Sequence, residues 1–106
     1  MISTLLTAST SALASSSFVL KYADTGQSVT VQVVGLATTE KAYLQIENLI
    51  SLGNFVNVKI NGGDVYCDAN NNVIFVKGHG RYRINKDASA GAVGVGITSD
   101  RDYIVI

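Results

Sequence analysis

The chain has 106 residues, which fits a single domain, and 47 % of them are hydrophobic while only 15 % are charged. Lys plus Arg and Asp plus Glu each number 8, so the formal net charge is zero and the positive field of a nucleic-acid-binding protein is missing. No apolar run is long enough to predict a membrane span, and a surface this poor in charge is typical of one that a protein partner covers.

The first 17 residues are rich in Ser, Thr and Ala. They contain no Lys or Arg, so they lack the positively charged start of a secretory signal peptide. An ordered segment with so little hydrophobic content needs a surface to lie against, because fixing each residue costs about 1–2 kcal/mol. We therefore expect residues 1–17 to form an extended N-terminal arm that contacts a neighbouring subunit, with Leu5 and Leu6 among its partner-binding residues.

From residue 18 to residue 60, apolar residues mostly alternate with polar ones, as in half-buried β-strands. The expected core-facing sets are Phe18, Leu20 and Tyr22; Val29, Val31 and Val33; and Val56, Val58 and Ile60. Residues 40–52 are ambiguous, because the first half alternates like a strand and the second half has apolar spacings of a helix. The apolar residues of that second half are Leu49, Ile50 and Leu52. We expect a strand here, followed by a turn or a single helical turn.

Turn signals and alternating runs continue to the end of the sequence. Asn61-Gly62-Gly63 predicts a tight hairpin, and residues 68–72 predict a polar turn. Residues 73–76 are apolar on both faces, so we expect a central strand there. Gly78-His79-Gly80 makes a tight connection. The remaining core-facing residues are expected to be Tyr82, Ile84, Val93, Val95 and Ile97, with Gly94 and Gly96 between them where a neighbouring backbone comes close.

About eight short strands separated by turn signals predict an all-β fold. We expect a single antiparallel β-sandwich or small barrel, with either jelly-roll or immunoglobulin-like topology, over residues 18–99. Residues 100–106 are expected to form a C-terminal tail strand. Its apolar end is a second candidate contact surface, formed by Tyr103, Ile104 and Ile106.

The reactive side chains that catalysis requires are scarce in this sequence. His79 is the single histidine and lies between two glycines, so a pair with Cys67, the single cysteine, is a weak candidate for nucleophilic chemistry. Asp68-x-Asn70-x-Asn72 copies the start of a calcium loop, but Val73 replaces the required glycine. A hairpin turn explains these residues better. We expect no enzyme activity, no cofactor and no metal, and one cysteine allows no intrachain disulfide, which suits a reducing cytoplasm.

The one basic cluster consists of Lys77, His79, Arg81, Arg83 and Lys86. Nucleic-acid binding would require interleaved aromatic residues and a net positive field. Only Tyr82 interleaves, and alternation turns it to the opposite face. We interpret the cluster as a solvated strand face or as a contact surface for an acidic protein partner, carried by Arg81 and Arg83.

Residues 73–95, VIFVKGHGRYRINKDASAGAVGV, combine a Gly-x-Tyr-Arg-hydrophobic-x-Lys strand, a loop of small residues and a closing Val-Gly-Val strand. The matching residues are Gly80, Tyr82, Arg83, Ile84, Lys86, Val93, Gly94 and Val95. This pattern covers about a fifth of the chain and resembles the C-terminal strands of small β-sandwich virion proteins of tailed bacteriophages. The resemblance implies a capsid decoration, or head-stabilising, protein without enzyme activity. Its partners would be the major capsid protein or other virion proteins.

The sequence therefore predicts a structural virion protein, homo-oligomeric and located in the virion after assembly in the host cytoplasm, with neither nucleic acid nor membrane as a partner. The alternative is a carbohydrate- or cell-surface-binding module of a phage fibre or adhesin. Such modules use exposed aromatic residues; this chain has no Trp, and Tyr43 and Tyr66 are the aromatic residues expected to face outward. A small enzyme dependent on His79 is the third hypothesis.

Overall fold

The computed structural model describes residues 2–20, 28–98 and 104–105, which form β-strands joined by turns. In chain order the strands are β1 (Ile2–Ser9), β2 (Leu13–Ala14), β3 (Phe18–Leu20), β4 (Ser28–Val34), β5 (Ala42–Glu47), β6 (Phe55–Asn57), β7 (Lys59–Ile60), β8 (Gly63–Asp64), β9 (Tyr66–Cys67), β10 (Val73–Lys77), β11 (Gly80–Lys86), β12 (Val93–Thr98) and β13 (Ile104–Val105). The predicted all-β fold is confirmed.

Two antiparallel sheets form a sandwich around one core. Sheet A has the strand order β1-β12-β4-β10. Sheet B has the order β13-β3-β11-β5-β6, with β2 also paired to β11 and β9 also paired to β5. Strands β7 and β8 form a separate hairpin. Neighbours within each sheet are mostly distant in sequence, because the chain crosses repeatedly from one sheet to the other.

The core consists of the side chains that the alternation predicts. Sheet A contributes one valine-rich row from β4 and another from the antiparallel β12, and sheet B contributes a stacked aromatic pair, Phe18 and Tyr82, with ring centroids 5.7 Å apart. The buried residues of these rows are Val29, Val31, Val33, Val93, Val95, Ile97, Phe18, Leu20, Tyr82 and Ile84. β-Branched side chains suit this half-buried, pleated environment.

Both predicted polar turns are confirmed. Asn61 and Gly62 have φ angles of 53° and 82° and join β7 to β8, as a two-residue hairpin of type I′ requires. In the second turn, Asp68 Oδ1 accepts hydrogen bonds from the backbone N–H groups of Asn70 and Asn71, at 2.9 and 2.8 Å. The Asp68 carboxylate therefore holds its own turn, which is the ordinary role of Asp at this position.

The N-terminal segment differs from the expected separate arm. Strand β1 pairs with β12 at one edge of sheet A, from Ile2 opposite Thr98 to Ser9 opposite Val93. Leu5 is only 3 % exposed and belongs to the core. Residue 17 therefore marks no boundary between an arm and the sandwich, because the first strand supplies both ladder hydrogen bonds and a core side chain.

After β1 the chain crosses to sheet B and is fixed there by specific hydrogen bonds. Ser15 N–H donates to the Ile84 carbonyl (2.7 Å), and the Ile84 N–H donates to Ser15 Oγ (2.9 Å). Ser16 N–H donates back to the Leu5 carbonyl (2.9 Å). The Ser-rich sequence thus has a local role: its small polar side chains and backbone connect the two sheets.

Lys86 is the buried cation of this region and is only 2 % exposed. Its Nζ donates to the carbonyls of Ser11 (2.6 Å) and Asp87 (3.3 Å) and to Ser89 Oγ (3.2 Å). These acceptors come from the N-terminal segment and from the loop that follows β11. Lys86 therefore ties both segments together, and it satisfies the requirement that a buried ammonium be hydrogen-bonded.

The expectation of a central strand at residues 73–76 is wrong. Strand β10 pairs with β4 alone among the sheet A strands and forms an edge. Ile74 and Val76 face the core, whereas Phe75 is 75 % exposed on the outer face. Apolar residues on both faces are as compatible with a partner-covered edge as with a central position.

The ambiguous segment 40–52 resolves into a strand and a turn. Strand β5 buries Ala42 and Leu44, and turns and bends follow Glu47 in place of a helix. The later set at 56, 58 and 60 is less buried than expected: Val58 packs on the core, but Val56 and Ile60 are 45 % and 64 % exposed.

Candidate protein-docking surfaces

The described residues that are predicted to bind a partner are divided between the core and sheet B. Ile104 and Arg81 both pair with Val19 of β3, so these two positions lie in one row across sheet B. Leu5 lies in the core and is inaccessible to a partner. Leu6 is half-buried and packs against the core. Ile104 belongs to β13, which pairs with β3 opposite Val19. Tyr103 and Ile106 lie outside the described residues.

Arg81 and Arg83 lie on the outer face of sheet B, where neighbouring side chains engage both. Arg81 lies 3.8 Å from the Glu47 carboxylate. Arg83 Nε donates to Gln45 Oε1 (2.8 Å), and its guanidinium lies 4.2 Å from the centre of the Phe55 ring. These contacts stabilise the strands of one sheet against each other, and the Glu47 carboxylate offsets the charge of Arg81.

The prediction of a single basic surface is wrong. Gly78-His79-Gly80 connects β10 of sheet A to β11 of sheet B, so Lys77 and the two arginines belong to different sheets. Lys86 points inward. Alternation within β11 would have placed Lys86 on the core face, together with Tyr82 and Ile84.

An exposed aliphatic loop connects β5 to β6. We call residues 48–54 the aliphatic loop. Leu49, Ile50 and Leu52 are 83 %, 98 % and 75 % exposed. No charged residue occurs between Asn48 and Val58. Scattered single apolar residues are normal on a surface, but three large ones within four positions and without a charge form a continuous apolar projection.

The backbone of the aliphatic loop is fixed by its own polar residues. Asn48 Oδ1 accepts hydrogen bonds from the N–H groups of Ile50 (2.8 Å) and Ser51 (3.3 Å). Asn48 N–H donates to the Asn54 carbonyl (2.7 Å), which closes the base of the loop. The Gly53 N–H donates to Glu47 Oε2 (3.1 Å). The apolar side chains are therefore displayed by an ordered turn.

A second uncharged surface lies on the outer face of sheet A. Because the core-facing residues of β12 alternate with Gly94 and Gly96, β12 has no side chain at these two positions of the outer face, and a trough runs between β1 and β4. The trough consists of two adjoining depressions of about 260 Å³ and 400 Å³, and both are lined by Gln32 and Gly96. Residues that line only one depression include Ile2, Val73, Thr4, Leu6 and Val34.

The trough is shaped by close packing of β1 on β12. A Cβ atom added at Gly94 would lie 3.3 Å from the Leu6 carbonyl oxygen, whereas one added at Gly96 would lie 3.8 Å from that of Ser3. The expected close approach of a neighbouring backbone is thus confirmed at Gly94. At Gly96 there is room for a larger side chain.

The outer face of sheet B carries the aromatic residues that the sequence placed outward. Tyr43 and Tyr66 are cross-strand partners with ring centroids 5.9 Å apart, and the Lys41 ammonium lies 4.5 Å from the centre of the Tyr66 ring. A depression of about 370 Å³ beside Tyr43 is lined by Glu40 and Asp87. Hydrogen bonds from the Ala37 and Ala90 N–H groups lower the pKa of Glu40.

The candidate nucleophile and base are unsuited to act together. Cys67 is fully buried, and burial, with a smaller contribution from the Asp68 charge, raises the pKa of its thiol to about 11. The thiol is therefore protonated at neutral pH. His79 is exposed in the turn between the sheets. Across the described residues, no three His, Cys, Asp or Glu side chains are grouped so that they could hold a metal ion.

Within the described part of the chain, no helix has the length and apolar character needed to span a membrane.

Comparison of the chain with protein-family models, with curated proteins and with solved structures found no match in any of the three.

Sequence reasoning missed the aliphatic loop as a surface, although part of the signal was present. The sequence shows no charge from residue 48 to residue 58 and predicts a turn or a single helical turn after the strand. The spacing of Leu49, Ile50 and Leu52 also fits a helical face, so it does not predict that these side chains are exposed. Asn48 and Asn54 at the two ends, with Gly53 beside Asn54, are the residues that instead favour a closed turn.

Proposed function

We propose that this chain is a structural virion protein of a tailed phage, a decoration or cement protein that binds capsid or neighbouring virion subunits. The observation that carries the proposal is the aliphatic loop, in which Leu49, Ile50 and Leu52 remain largely exposed while the backbone is held by hydrogen bonds. Exposing such an ordered apolar projection to water costs free energy, and burying it against a partner recovers that free energy.

The energetics favour a protein partner for this loop. Burying a large aliphatic side chain contributes about 1.5–3 kcal/mol relative to its exposed state. Since the backbone of the loop is already ordered, the conformational entropy lost on binding is mainly that of its side-chain rotamers. No residue of the loop itself is charged, and the adjacent Glu47 carboxylate already accepts the Gly53 N–H, so burying the aliphatic side chains requires no desolvation of a charge on the loop.

The distribution of charge also supports a protein neighbour over nucleic acid. The net charge is zero, and Arg81 and Arg83 are engaged by Glu47 and Gln45 on their own sheet. The resemblance of residues 73–95 to small phage virion proteins supports a location of this protein in the virion, after assembly in the host cytoplasm. Cys67 is a buried free thiol, so folding requires no oxidising compartment.

The test is incorporation of tagged chains into particles of the phage that encodes the protein. Ile50→Asp adds a charge at the most exposed position of the aliphatic loop and should lower occupancy at least tenfold. Ala69→Asp, in the exposed polar turn between β9 and β10, is the matched control and should be incorporated like the wild type. Equal occupancy of both variants, or absence of the wild type from purified particles, would contradict the proposal.

A second candidate function is supported by the paired tyrosines of sheet B. Tyr43 and Tyr66 lie side by side next to a depression lined by carboxylates, and sugars stack on such rings and hydrogen-bond to such groups. If the chain is a glycan-binding module, Tyr43→Ala should abolish binding on a glycan array. Ile50→Asp should leave that binding unchanged, so the two functions are separable.

A further inference from the structure

The aliphatic loop and the trough match each other in chemistry. The loop has no charged residue, and the residues that line the two depressions of the trough are uncharged as well. A partner that brought a charge into either surface would bury it without a counter-charge. Each surface therefore favours an uncharged, mainly apolar partner. Because the loop and the trough occur on the same chain, each is a suitable partner for the other.

The two surfaces also match in shape and size. The loop is a projection whose outermost side chain, Ile50, is 98 % exposed. The trough is a depression whose floor at Gly96 lacks a side chain, and its smaller part, of about 260 Å³, is larger than one aliphatic side chain. A second, shallower and more open part adjoins it along Gly94 and Gly96, and a neighbouring leucine can lie against the sheet there.

The positions of these surfaces determine the kind of contact. The loop connects β5 to β6, the strand at one edge of sheet B, whereas the trough lies on the outer face of sheet A. The surfaces lie on different layers of the sandwich, so a contact between them joins unlike surfaces of two molecules. Such a contact either closes a two-fold dimer, in which each loop lies in the other copy's trough, or repeats from copy to copy to form a ring or an open array.

We infer that the occupant of the trough is the aliphatic loop of a second copy of this chain, with Ile50 inserted over Gly96. This inference rests on the proposed function, because it also takes the aliphatic loop to be a docking element, and it adds the identity of the partner. The zero net charge of the chain permits the close approach of identical molecules.

Sedimentation velocity of the purified full chain over a wide concentration range tests this arrangement. The wild type should form concentration-dependent oligomers. Ile50→Asp should remain monomeric because its loop is defective, and Gly96→Val should remain monomeric because its trough is filled. Val favours strands, and a Cβ at Gly96 makes only ordinary contacts, so this variant should fold. Gln32→Glu, which brings a charge into the trough, is a second trough variant, and Ala69→Asp is the control that should associate like the wild type.

Mixing the two monomeric variants is the decisive step. The Gly96→Val chain keeps an intact loop and the Ile50→Asp chain keeps an intact trough, so an equimolar mixture should form a dimer and stop there. The weight-average mass should double. A monomeric mixture would show that an intact loop does not bind an intact trough on another copy, and would overturn the inference. A wild type that stays monomeric at the highest concentration, or trough variants that associate like the wild type, would overturn it too.

These outcomes are distinct from failure of the proposed function. If the wild type is monomeric in solution but Ile50→Asp is lost from particles, the loop binds another virion protein and only the inference about the second copy is wrong. If the chain associates as expected but is absent from particles, the virion role is wrong and the self-association stands.

Discussion

Lys86 is a single buried residue that joins the N-terminal segment to the rest of the sandwich by hydrogen bonds. Its Nζ serves acceptors on Ser11, Asp87 and Ser89, and Lys86→Met would leave those acceptors without their donor. We expect a loss of about 2–3 kcal/mol in the free energy of unfolding, measured in urea. Lys77→Met, at an exposed position, should change it by no more than about 0.5 kcal/mol. Similar effects of the two variants would show that the buried hydrogen bonds of Lys86 are unimportant.

Cys67 is expected to make stability depend on alkaline pH. Its thiol pKa rises from the ordinary 9.0 to about 11 on folding, so the folded state binds the proton more tightly than the unfolded state. The resulting stabilisation is complete below about pH 9 and is lost as the pH rises towards 11, a change of about 2–3 kcal/mol.

The comparison of wild type with Cys67→Ala isolates this effect. Burial also raises the pKa of Tyr82, which acts in the same direction in both proteins. The free energy of unfolding of wild type should therefore decrease more steeply between pH 9 and 11 than that of the variant. Parallel curves would mean that the thiol titrates alike in the folded and unfolded states.

Strand β1 is the element whose observed role differs most from the role that the sequence predicts. Because Leu5 is buried in the core, Leu5→Ala should cost about 2–5 kcal/mol in urea unfolding. Thr4→Ala, on the exposed face of the same strand, should cost no more than about 0.5 kcal/mol. If both substitutions changed the free energy of unfolding by the same small amount, residues 2–9 would be a loosely attached arm and not a strand of the sandwich.

The elements that sequence predicted well are those defined by local alternation. The valines of β4 and β12 and the residues Tyr82 and Ile84 of β11 are buried as expected, because a period of two leaves one face for the core. The hairpin at Asn61 and Gly62 was equally predictable, since few residues accept positive φ.

The order of strands could not be predicted in the same way. Residues 73–76 have the composition of a central strand, yet β10 is an edge, because pairing is decided by where the chain crosses between sheets. The split of Lys77 from Arg81 and Arg83 has the same origin. Likewise, the spacing of Leu49, Ile50 and Leu52 describes a helical face and an exposed turn equally well.

At the scale of the whole molecule, the main feature is uncharged apolar surface that is ordered but uncovered. The arginines of sheet B are engaged within its own outer face, while the aliphatic loop and the trough carry no charge. Net neutrality then gives the molecule no long-range preference for an acidic or basic partner. Contact with protein neighbours is the use that best fits these features.

Photo-crosslinking from position 50 in assembled particles tests this claim most directly. A benzoylphenylalanine in place of Ile50 should yield, on illumination of purified virions, an adduct with a virion protein or with a second copy of this chain. The same group in place of His79, in the exposed turn between β10 and β11, should yield little adduct. Particles that contain the chain but give no adduct from position 50 would contradict the claim that the aliphatic loop is a docking surface.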